Sequence, residues 1–212
     1  MKLGLIADVH ADVTALRRVL DLLNAAGVDR ILCAGDLVGK GTENEATVKL
    51  VQANEITCIQ GNHDQSAASD QAWLLESHLV KASDPRLLSL ESLSYLRRLP
   101  PTLRLELAGV RVMLAHGTPH SNTEYVYPRR EMADRFFYMK LLEAAAADIL
   151  MLGHTHVPMQ VVEQNGMILN PGSVCGALAA GSATYAILSL PTRDFRVFRA
   201  QDGAPAEFDH LL

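Results

Sequence analysis

The sequence predicts a mixed α/β fold, and three observations support this prediction. Short apolar runs rich in β-branched residues alternate with helix-forming segments toward the N-terminus, which is typical of parallel strands joined by right-handed crossovers. Later runs at 103–107 and 110–115 are separated by two residues, as in an antiparallel hairpin. The chain has 212 residues, of which 49% are hydrophobic and 20% charged, as in an ordinary globular protein. Neither a repeat nor a linker divides it, so we expect one domain over residues 1–212.

Charge and cysteine content restrict the partners and the compartment. The net charge is −5 and the basic residues form no cluster, which argues against a protein that holds nucleic acid mainly through phosphate contacts. The three cysteines include no Cys-x-x-Cys pair, and Cys33 and Cys58 fall in apolar runs, which favours a reducing compartment. Without a signal peptide or an apolar run of about 20 residues, we expect a cytoplasmic protein that does not span a membrane. A homodimer or a larger homo-oligomer is compatible with the sequence.

The N-terminal segment predicts three strands, each followed closely by polar residues. These strands cover residues 3–7, 31–34 and 56–59. After the first strand, Asp12 is placed to cap a helix that Gly27 ends. After the second, Thr42 and Glu45 have the spacing of a capping box, which predicts a helix that continues to about residue 53. The order strand, helix, strand, helix, strand predicts a parallel sheet.

Residues 66–98 predict a pair of helices. The second helix would begin at Asp84-Pro85, because aspartate suits the cap and proline the first turn, and would end before Pro100-Pro101. We favour a packed cover beside the sheet over a substrate-binding lid for this pair.

The C-terminal half predicts a hairpin, one helix and several further strands. Ala108-Gly109 would form the hairpin turn, and a loop with two tyrosines covers residues 118–128. A helix is predicted from about 129 to 147. Its apolar residues at helical spacing are Met132, Phe136, Met139, Leu142 and Ala146. The remaining predicted features are a buried strand at 149–152, a turn at Asn165-Gly166, and antiparallel strands at 184–190 and 195–199.

Similar polar side chains follow five different strands. They are Asp8 and His10, Asp36, Asn62 and His63, His116, and His154 and His156. Because ligands bind at the carboxyl ends of strands in open α/β sheets, we expect these residues to share one site. Oxygen and imidazole donors without a thiolate suit Mn, Fe, Zn, Co or Ni. Without His63, the ligand candidates are too many for one tetrahedral ion and suit two metals about 3.5–4 Å apart with a bridging carboxylate.

Each of these residues also has an ordinary structural interpretation. A single histidine at a strand end is more often hydrogen-bonded in a structural role, Asp36 could cap a helix, and Asn62 could serve a turn beside Gly61. Their concentration at one edge of one sheet argues for the metal site. Three further histidines are not grouped with other ligand candidates at a strand end, and we interpret them as ordinary residues: His78, His120 and His210.

Five motifs resemble the signature of the calcineurin-like metallophosphoesterases. They are Asp8-x-His10, Gly35-Asp36, Gly61-Asn62-His63-Asp64, His116-Gly117 and Gly153-His154-Thr155-His156. Three details resemble the small bacterial and archaeal phosphodiesterase branch: Gly35-Asp36-Leu37-Val38-Gly39, His116-Gly117-Thr118-Pro119 and Asn170-Pro171-Gly172-Ser173. The resemblance covers the chain from residue 3 to about 175. It implies a four-layer α-β-β-α sandwich, with two mixed sheets face to face and helices outside, and a metal-dependent phosphoric ester hydrolase.

By motif position, the resemblance implies a role for each site residue. The first metal would be held by Asp8, His10, Asp36 and His156. The second would be held by Asp36, Asn62, His116 and His154, so that Asp36 bridges the two ions. The implied cofactor is a pair of divalent ions per chain, Mn²⁺ in first place, with Fe, Zn, Ni or Co as alternatives. His63 would lie near the leaving group as the general acid, and we group Asp64 with it, although the sequence does not show its direction.

The implied reaction is hydrolysis of a small phosphodiester. A hydroxide bridging the two metals would attack phosphorus in line while His63 protonates the departing alkoxide. No protein nucleophile is required, and the sequence contains no Gly-x-Ser-x-Gly motif.

One departure from the family pattern bears on the substrate. Many relatives continue Gly-Asp-x-x with Asp-Arg-Gly, whereas this chain has Gly39-Lys40-Gly41. The missing pair argues against a protein serine/threonine phosphatase and favours a phosphodiesterase. We interpret Lys40 as a solvated surface residue rather than a phosphate contact. The alternatives are a phosphomonoesterase acting on small phosphates or phosphoproteins, and a non-catalytic scaffold resembling the retromer subunit. A nuclease would usually need a basic groove, which the sequence lacks.

Overall fold

The computed structural model of the protein describes residues 1–129, 132–175 and 183–211. The strands in these ranges are β1 (Lys2–Ile6), β2 (Arg30–Cys33), β3 (Thr57–Cys58), β4 (Thr102–Leu107), β5 (Val110–Ala115), β6 (Ile149–Met151), β7 (Met159–Glu163), β8 (Gly166–Asn170), β9 (Thr184–Ser189), β10 (Asp194–Arg199) and β11 (Asp209–Leu211). The helices are α1 (Val13–Ala25), α2 (Asn44–Ala53), α3 (Asn62–Glu76), α4 (Leu90–Arg98) and α5 (Met132–Ala145). Within the same ranges, every helix is too short or too polar to cross a bilayer.

The strands form two mixed sheets. The first has the order β10-β9-β1-β2-β3, in which β1, β2 and β3 run parallel and β9 is antiparallel to both β1 and β10. The second has the order β11-β7-β8-β6-β5-β4, in which β6 runs parallel to both β5 and β8. The β4–β5 and β7–β8 pairs are antiparallel hairpins at either side of this parallel centre.

Three clusters of buried side chains define the layers. Leu5 and Leu32 of the first sheet share a cluster with Leu114 and Ile149 of the second, so the two sheets pack face to face. On the outer face of the first sheet, side chains from α1, α2 and α4 form another cluster. On the outer face of the second sheet, α5 packs through residues such as Tyr138. The predicted sandwich of two mixed sheets with flanking helices is confirmed.

Two helix starts differ from the prediction. The helix predicted to begin at Asp84 begins instead at Leu90, because Asp84 binds the backbone amide and guanidinium of Arg86 while Ser89 caps α4. The predicted capping box is also wrong, since α2 starts at Asn44 and lacks a side-chain cap. The carboxylate of Glu45 instead accepts hydrogen bonds from the backbone amide and the hydroxyl of Ser89, both at 3.0 Å. Long-range contacts therefore override the local capping signals.

Other local predictions are confirmed or refined. Asp12 caps α1 by accepting from the amide of Ala15 at 2.8 Å, and Ala108 and Gly109 have φ of 49° and 75°, as a type I′ hairpin turn requires. The predicted start of α5 partly falls on residues 130 and 131, outside the described ranges. The face of α5 that packs on the sheet carries Tyr138, Leu141, Leu142 and Ala145. Phe136 and Met139 are 63% and 41% exposed, so the buried stripe is rotated from the predicted one.

Candidate metal centre

All seven predicted ligand residues and His63 lie at one end of the paired sheets. Asp8 and His10 follow β1, Asp36 follows β2, and Asn62 and His63 form the first turn of α3 after β3. The other residues come from the second sheet: His116 follows β5, and His154 and His156 follow β6. The prediction of a single sheet edge is therefore wrong in one respect, because the two sheets share the site.

The backbone turns sharply at the ends of these strands. Five ligand candidates have positive φ although none is glycine: Asp8 at 53°, His10 at 47°, Asp36 at 54°, His154 at 66° and His156 at 60°. This conformation is costly for residues with a Cβ atom, by about 1–2 kcal/mol each, and it concentrates at functional sites. Here it allows several side chains of each short loop to reach the same point.

The first ligand group consists of Asp8, His10 and His156. The Nε2 atoms of the two histidines are 3.0 Å apart, and Asp8 Oδ1 lies 3.5 Å from His156 Nε2. His10 donates from Nδ1 to the carbonyl of Val38 at 3.2 Å, which leaves its Nε2 lone pair for a cation. Metal-binding histidines usually have such a partner on their second nitrogen.

The second ligand group consists of Asp36, His116 and His154. His116 donates from Nδ1 to the carbonyl of Ala34 at 2.7 Å, and its Nε2 lies 3.1 Å from Asn62 Oδ1. The side-chain oxygen of Asn62 therefore reaches this group as well. His154 contacts the carbonyl of Thr123 through Nε2 at 3.1 Å, so its Nδ1 remains for a ligand.

Asp36 lies between the two groups. Its Oδ2 is 3.2 Å from His116 Nε2 and 3.7 Å from His10 Nε2, and its Oδ1 accepts from the amide of His63 at 2.9 Å. Two donors on one cation, each with a bond of about 2.1 Å, are at most about 4.2 Å apart. The three separations within the first group, at 3.0–4.0 Å, and the 3.2 Å between Asp36 and His116 in the second satisfy this limit.

Asp8 provides a direct test of whether the site suits a cation. Its side chain is fully buried, and its Oδ2 has no hydrogen-bond partner among the described residues. A buried carboxylate oxygen without a partner is costly. A divalent cation would supply that partner, and the donor set of carboxylate, amide and imidazole suits such an ion. The residues present therefore fit a metal.

The pKa values of the metal-free site also show the effect of burying charged groups without a cation. Burial raises the pKa of Asp8 to about 8 and lowers the pKa of His10 to about 3. Burial also acts to lower the pKa of His116, but the hydrogen bond and the charge of Asp36 outweigh it and raise this pKa to about 9. Burial and then the charge of Lys40 lower the pKa of His156 to about 4. Without a cation, Asp8 and His116 therefore both keep a proton at neutral pH.

His63 is placed at the rim of the site by close packing. Its ring meets that of His10 edge-on at a centroid distance of 5.0 Å. A Cβ atom added to Gly39, whose φ is 82°, would lie 2.7 Å from His63 Nδ1, so only glycine fits against this ring. His63 also forms a third potential ligand group with His10 and Asp36, so distance alone does not separate a ligand from an acid.

The carboxylate of Asp64 points to backbone amides. Its Oδ1 accepts from Leu37 at 2.8 Å and from Val38 at 3.2 Å, and its Oδ2 accepts from Gly61 at 3.0 Å. Asp64 is buried, and burial raises its pKa to about 6. The residue thereby joins the loop after β2 to the first turn of α3.

Several residues around the site were missed or interpreted differently from the sequence. The Nζ atom of Lys40 lies 3.5 Å from His156 Nε2, so this exposed lysine reaches the site. Asn170 donates to the carbonyl of Gly153 at 2.8 Å, and Ser173 donates to the carbonyl of Asp8 at 2.8 Å. The Asn-Pro-Gly-Ser motif in the sequence pointed to Asn170 and Ser173. The carbonyl groups that they bind could not be inferred from the sequence, because these groups lie on distant loops.

Comparison with known proteins agrees with this geometry. A family profile described as the calcineurin-like phosphoesterase superfamily domain matches residues 1–193. Phosphodiesterase YfcE of Escherichia coli is 27% identical over 89% of this chain and 87% of its own length. The crystal structure of a metallophosphoesterase from Sphaerobacter thermophilus has a TM-score of 0.71 and 25% identity, covering 99% of this chain and 90% of that one.

A further structure shares the fold at lower identity. Vps29 of Entamoeba histolytica, solved in complex with zinc, has a TM-score of 0.57 and 20% identity over 97% of this chain and 96% of that one. The prediction of a metal-dependent phosphoric ester hydrolase is confirmed at the level of the family. Given the profile match over most of its length, the chain belongs to the calcineurin-like phosphoesterase superfamily.

Proposed function

We propose that the protein is a phosphodiesterase that uses two divalent cations to hydrolyse a small phosphodiester. The observation that carries this proposal is the position of Asp36. Its carboxylate lies between His10 of one ligand group and His116 of the other, at 3.7 Å and 3.2 Å. A carboxylate common to two groups of ligands is the arrangement that a two-metal centre requires.

The ligand assignment follows the two groups. Asp8, His10, Asp36 and His156 would hold the first cation, and Asp36, Asn62, His116 and His154 the second. When bound, the two cations lower the pKa of water and offset the negative charge that develops on the phosphoryl group. We propose Mn²⁺, and the same donors also accept Fe, Zn, Ni or Co.

The chain itself supplies a proton and two positioning contacts. His63 lies at the rim beside His10 and, as imidazolium, donates a proton from its ring to the oxygen of the departing alcohol. Asp36 fixes the backbone of His63 by accepting from its amide. Asp64 acts as a positioning residue in this proposal, because its oxygens bind Leu37, Val38 and Gly61.

Two observations support a diester over a monoester. The relative YfcE is named a phosphodiesterase. The loop after Asp36 also carries Lys40 where other members of the superfamily carry an arginine that clamps phosphate. A lysine is a single point charge and cannot bind a dianionic monoester through two parallel hydrogen bonds as an arginine does. The monoesterase remains the alternative for the same site. A non-catalytic scaffold is less well supported, since every predicted ligand and His63 are present and converge.

The test separates metal binding from chemistry. Asp36→Asn removes a charge between two cations, so it should lose metal and activity together. His63→Ala should keep both cations but lose a general acid, which is typically worth 10²–10⁴-fold in rate. This loss should be large for an alkyl diester and small for bis(p-nitrophenyl) phosphate, whose leaving group hardly needs a proton. His78→Ala, which changes an exposed histidine outside the site, is the matched control.

The outcomes identify the role of each residue. Metal content is measured by elemental analysis, and turnover is measured with Mn²⁺ on a diester and on p-nitrophenyl phosphate. If His63→Ala loses metal as Asp36→Asn does, or slows both diesters equally, His63 is a ligand or a structural residue. A metal-free protein with full turnover, or a strong preference for the monoester, would overturn the proposed function.

A further inference from the structure

A cavity of about 200 Å³ opens beside His63 and is not used by the ligand residues. It lies between α3 and the segment 84–88, and we call it the His63 cavity. Its apolar wall consists of Val38, Ala67, Leu74, Leu87 and Leu88. One turn of helix separates His63 from Ala67, so the acid and this wall lie on the same face of α3.

The polar side chains that line the His63 cavity are largely engaged with other groups. Asp70 accepts from the hydroxyl of Ser66, Arg86 donates to Asp84, and Lys40 reaches toward His156. Asn44 accepts from the amide of Gly39 at 3.0 Å and donates to the carbonyl of Arg86 at 2.8 Å. Gln71 accepts from the amide of Leu88 at 2.7 Å and donates to its carbonyl at 3.0 Å. Both amides therefore hold the wall in place. Because Asp70 and Arg86 also have partners, the remaining wall, which is mainly apolar, suits an apolar substituent.

A second cavity of about 410 Å³ lies beside His116. We call it the His116 cavity. Most of its lining is polar: Gln65, Thr102, Thr118, His120, Ser121 and Asn122. His63 does not line it. Beside the metal centre there is thus a cavity with a mainly apolar wall that contains His63, and a larger, more polar cavity that does not.

We propose that the substrate is an unsymmetrical phosphodiester whose leaving alcohol is compact and apolar and whose other substituent is hydrophilic. This inference rests on the proposed function. His63 can protonate only an oxygen that faces its own cavity, so the alcohol bound there is the one released. An engineered apolar cavity of about 150 Å³ holds one benzene ring, so the His63 cavity accepts a single ring or a chain of about five carbons.

The reaction balances as a simple hydrolysis. The oxygen of one water forms a bond to phosphorus, and the bond from phosphorus to the apolar alkoxide breaks. The alkoxide takes the proton from His63, which is replaced by a proton of the water. The products are an apolar alcohol and the phosphomonoester of the hydrophilic group.

A substrate series tests the chemistry of the leaving group. Alkyl esters of thymidine 5′-phosphate share a hydrophilic substituent, and methyl to pentyl alcohols differ little in acidity. In the Mn²⁺-loaded protein, kcat/KM should rise about fourfold per added methylene, as expected for burial of apolar surface. The 4-hydroxybutyl ester, which matches pentyl in size, should be at least tenfold poorer than pentyl. Product analysis should show thymidine 5′-phosphate.

Variants assign this selectivity to the cavity. Ala67→Leu fills the His63 cavity and should abolish the gain from methyl to pentyl. Ala72→Leu makes the same change at an exposed position of α3 and should leave the gain intact. Leu74→Asn makes one wall polar without filling the space, and it should flatten the series if Ala67→Leu does not fold. Metal content and the thermal midpoint verify that each variant is intact.

The results distinguish two failures. If no diester is hydrolysed by the metal-loaded protein, the proposed function fails. If diesters are hydrolysed but the series is flat, if the 4-hydroxybutyl ester equals pentyl, or if thymidine and an alkyl phosphate are released, the inference about the two cavities is wrong. Equal effects of Ala67→Leu and Ala72→Leu would also overturn it.

Discussion

The close contact between Gly61 and Asp36 leads to a sharp prediction for the metal centre. A Cβ atom added at residue 61 would lie 2.2 Å from Asp36 Oδ1 and 2.3 Å from its backbone nitrogen. Ordinary contacts of carbon with its neighbours are about 3.5–4.0 Å. Gly61→Ala must therefore move either the carboxylate or the first turn of α3 by about 1 Å.

The energy of this displacement can be estimated from its two parts. Overpacking in a rigid site costs about 1–3 kcal/mol. Moving the carboxylate also weakens its 2.9 Å hydrogen bond from the amide of His63, and bonds to charged groups contribute about 1.5–3 kcal/mol. We therefore expect the free energy of cation binding to become less favourable by roughly 3 kcal/mol or more. This corresponds to a loss of at least about 100-fold in affinity for the cations.

The assay is metal content and turnover of bis(p-nitrophenyl) phosphate after dialysis against limiting Mn²⁺. Gly109→Ala is the matched control, because its Cβ would meet nothing within 4 Å. The control carries only the strain of a positive φ, about 1–2 kcal/mol, and should keep its metals. If Gly61→Ala binds two cations as tightly as the unaltered chain, the assigned position of Asp36 is wrong.

Three further predictions concern stability. In EDTA, the free energy of unfolding should fall as pH rises from 7 to 9. The folded chain keeps protons on Asp8 and His116, with pKa raised to about 8 and 9, that the unfolded chain has released. The slope is at most about 1.4 kcal/mol per pH unit for each proton, and equal urea midpoints at both pH values would contradict it. Mn²⁺ at about 100 times its Kd should raise the thermal midpoint of the metal-free protein by about 5–10 °C, and no shift on differential scanning would contradict a metal site. Asp64→Asn should lower the free energy of unfolding by about 1–3 kcal/mol, because an amide replaces an oxygen that accepts from the backbone; an unchanged urea midpoint would contradict that positioning role.

Local sequence signals were sufficient for much of the fold. Apolar runs that stop at a glycine or a charged residue predicted β1, β2, β5 and β6, and thereby the polar residues that follow them. These signals are short-range, since strand propensity and the turn chemistry act within a few residues. The pairing of β11 with β7 was not foreseen, because that contact joins segments about 50 residues apart.

The errors arose where a distant partner outweighed a local preference. Glu45 has the spacing of a capping residue, but it binds Ser89, which lies 44 positions away. Lys40 looked like a surface lysine, but a φ of 58° between two glycines directs it toward His156. The direction of Asp64 was equally hidden, because its partners belong to a loop 26 and 27 residues earlier in the chain.

The conformational strain and the electrostatic conflict at this site have one physical explanation in common. The left-handed backbone at five ligand candidates costs about 1–2 kcal/mol per residue, and these five residues lie in the loops that direct side chains into the site. The same loops bury Asp8 with an unpartnered oxygen beside Asp36, so that two carboxylates and several imidazoles compete for protons. A cation at each ligand group would offset the unpartnered oxygen and the repulsion between carboxylates at once. Strain and burial that destabilise the metal-free chain are therefore best explained as preorganisation for metal.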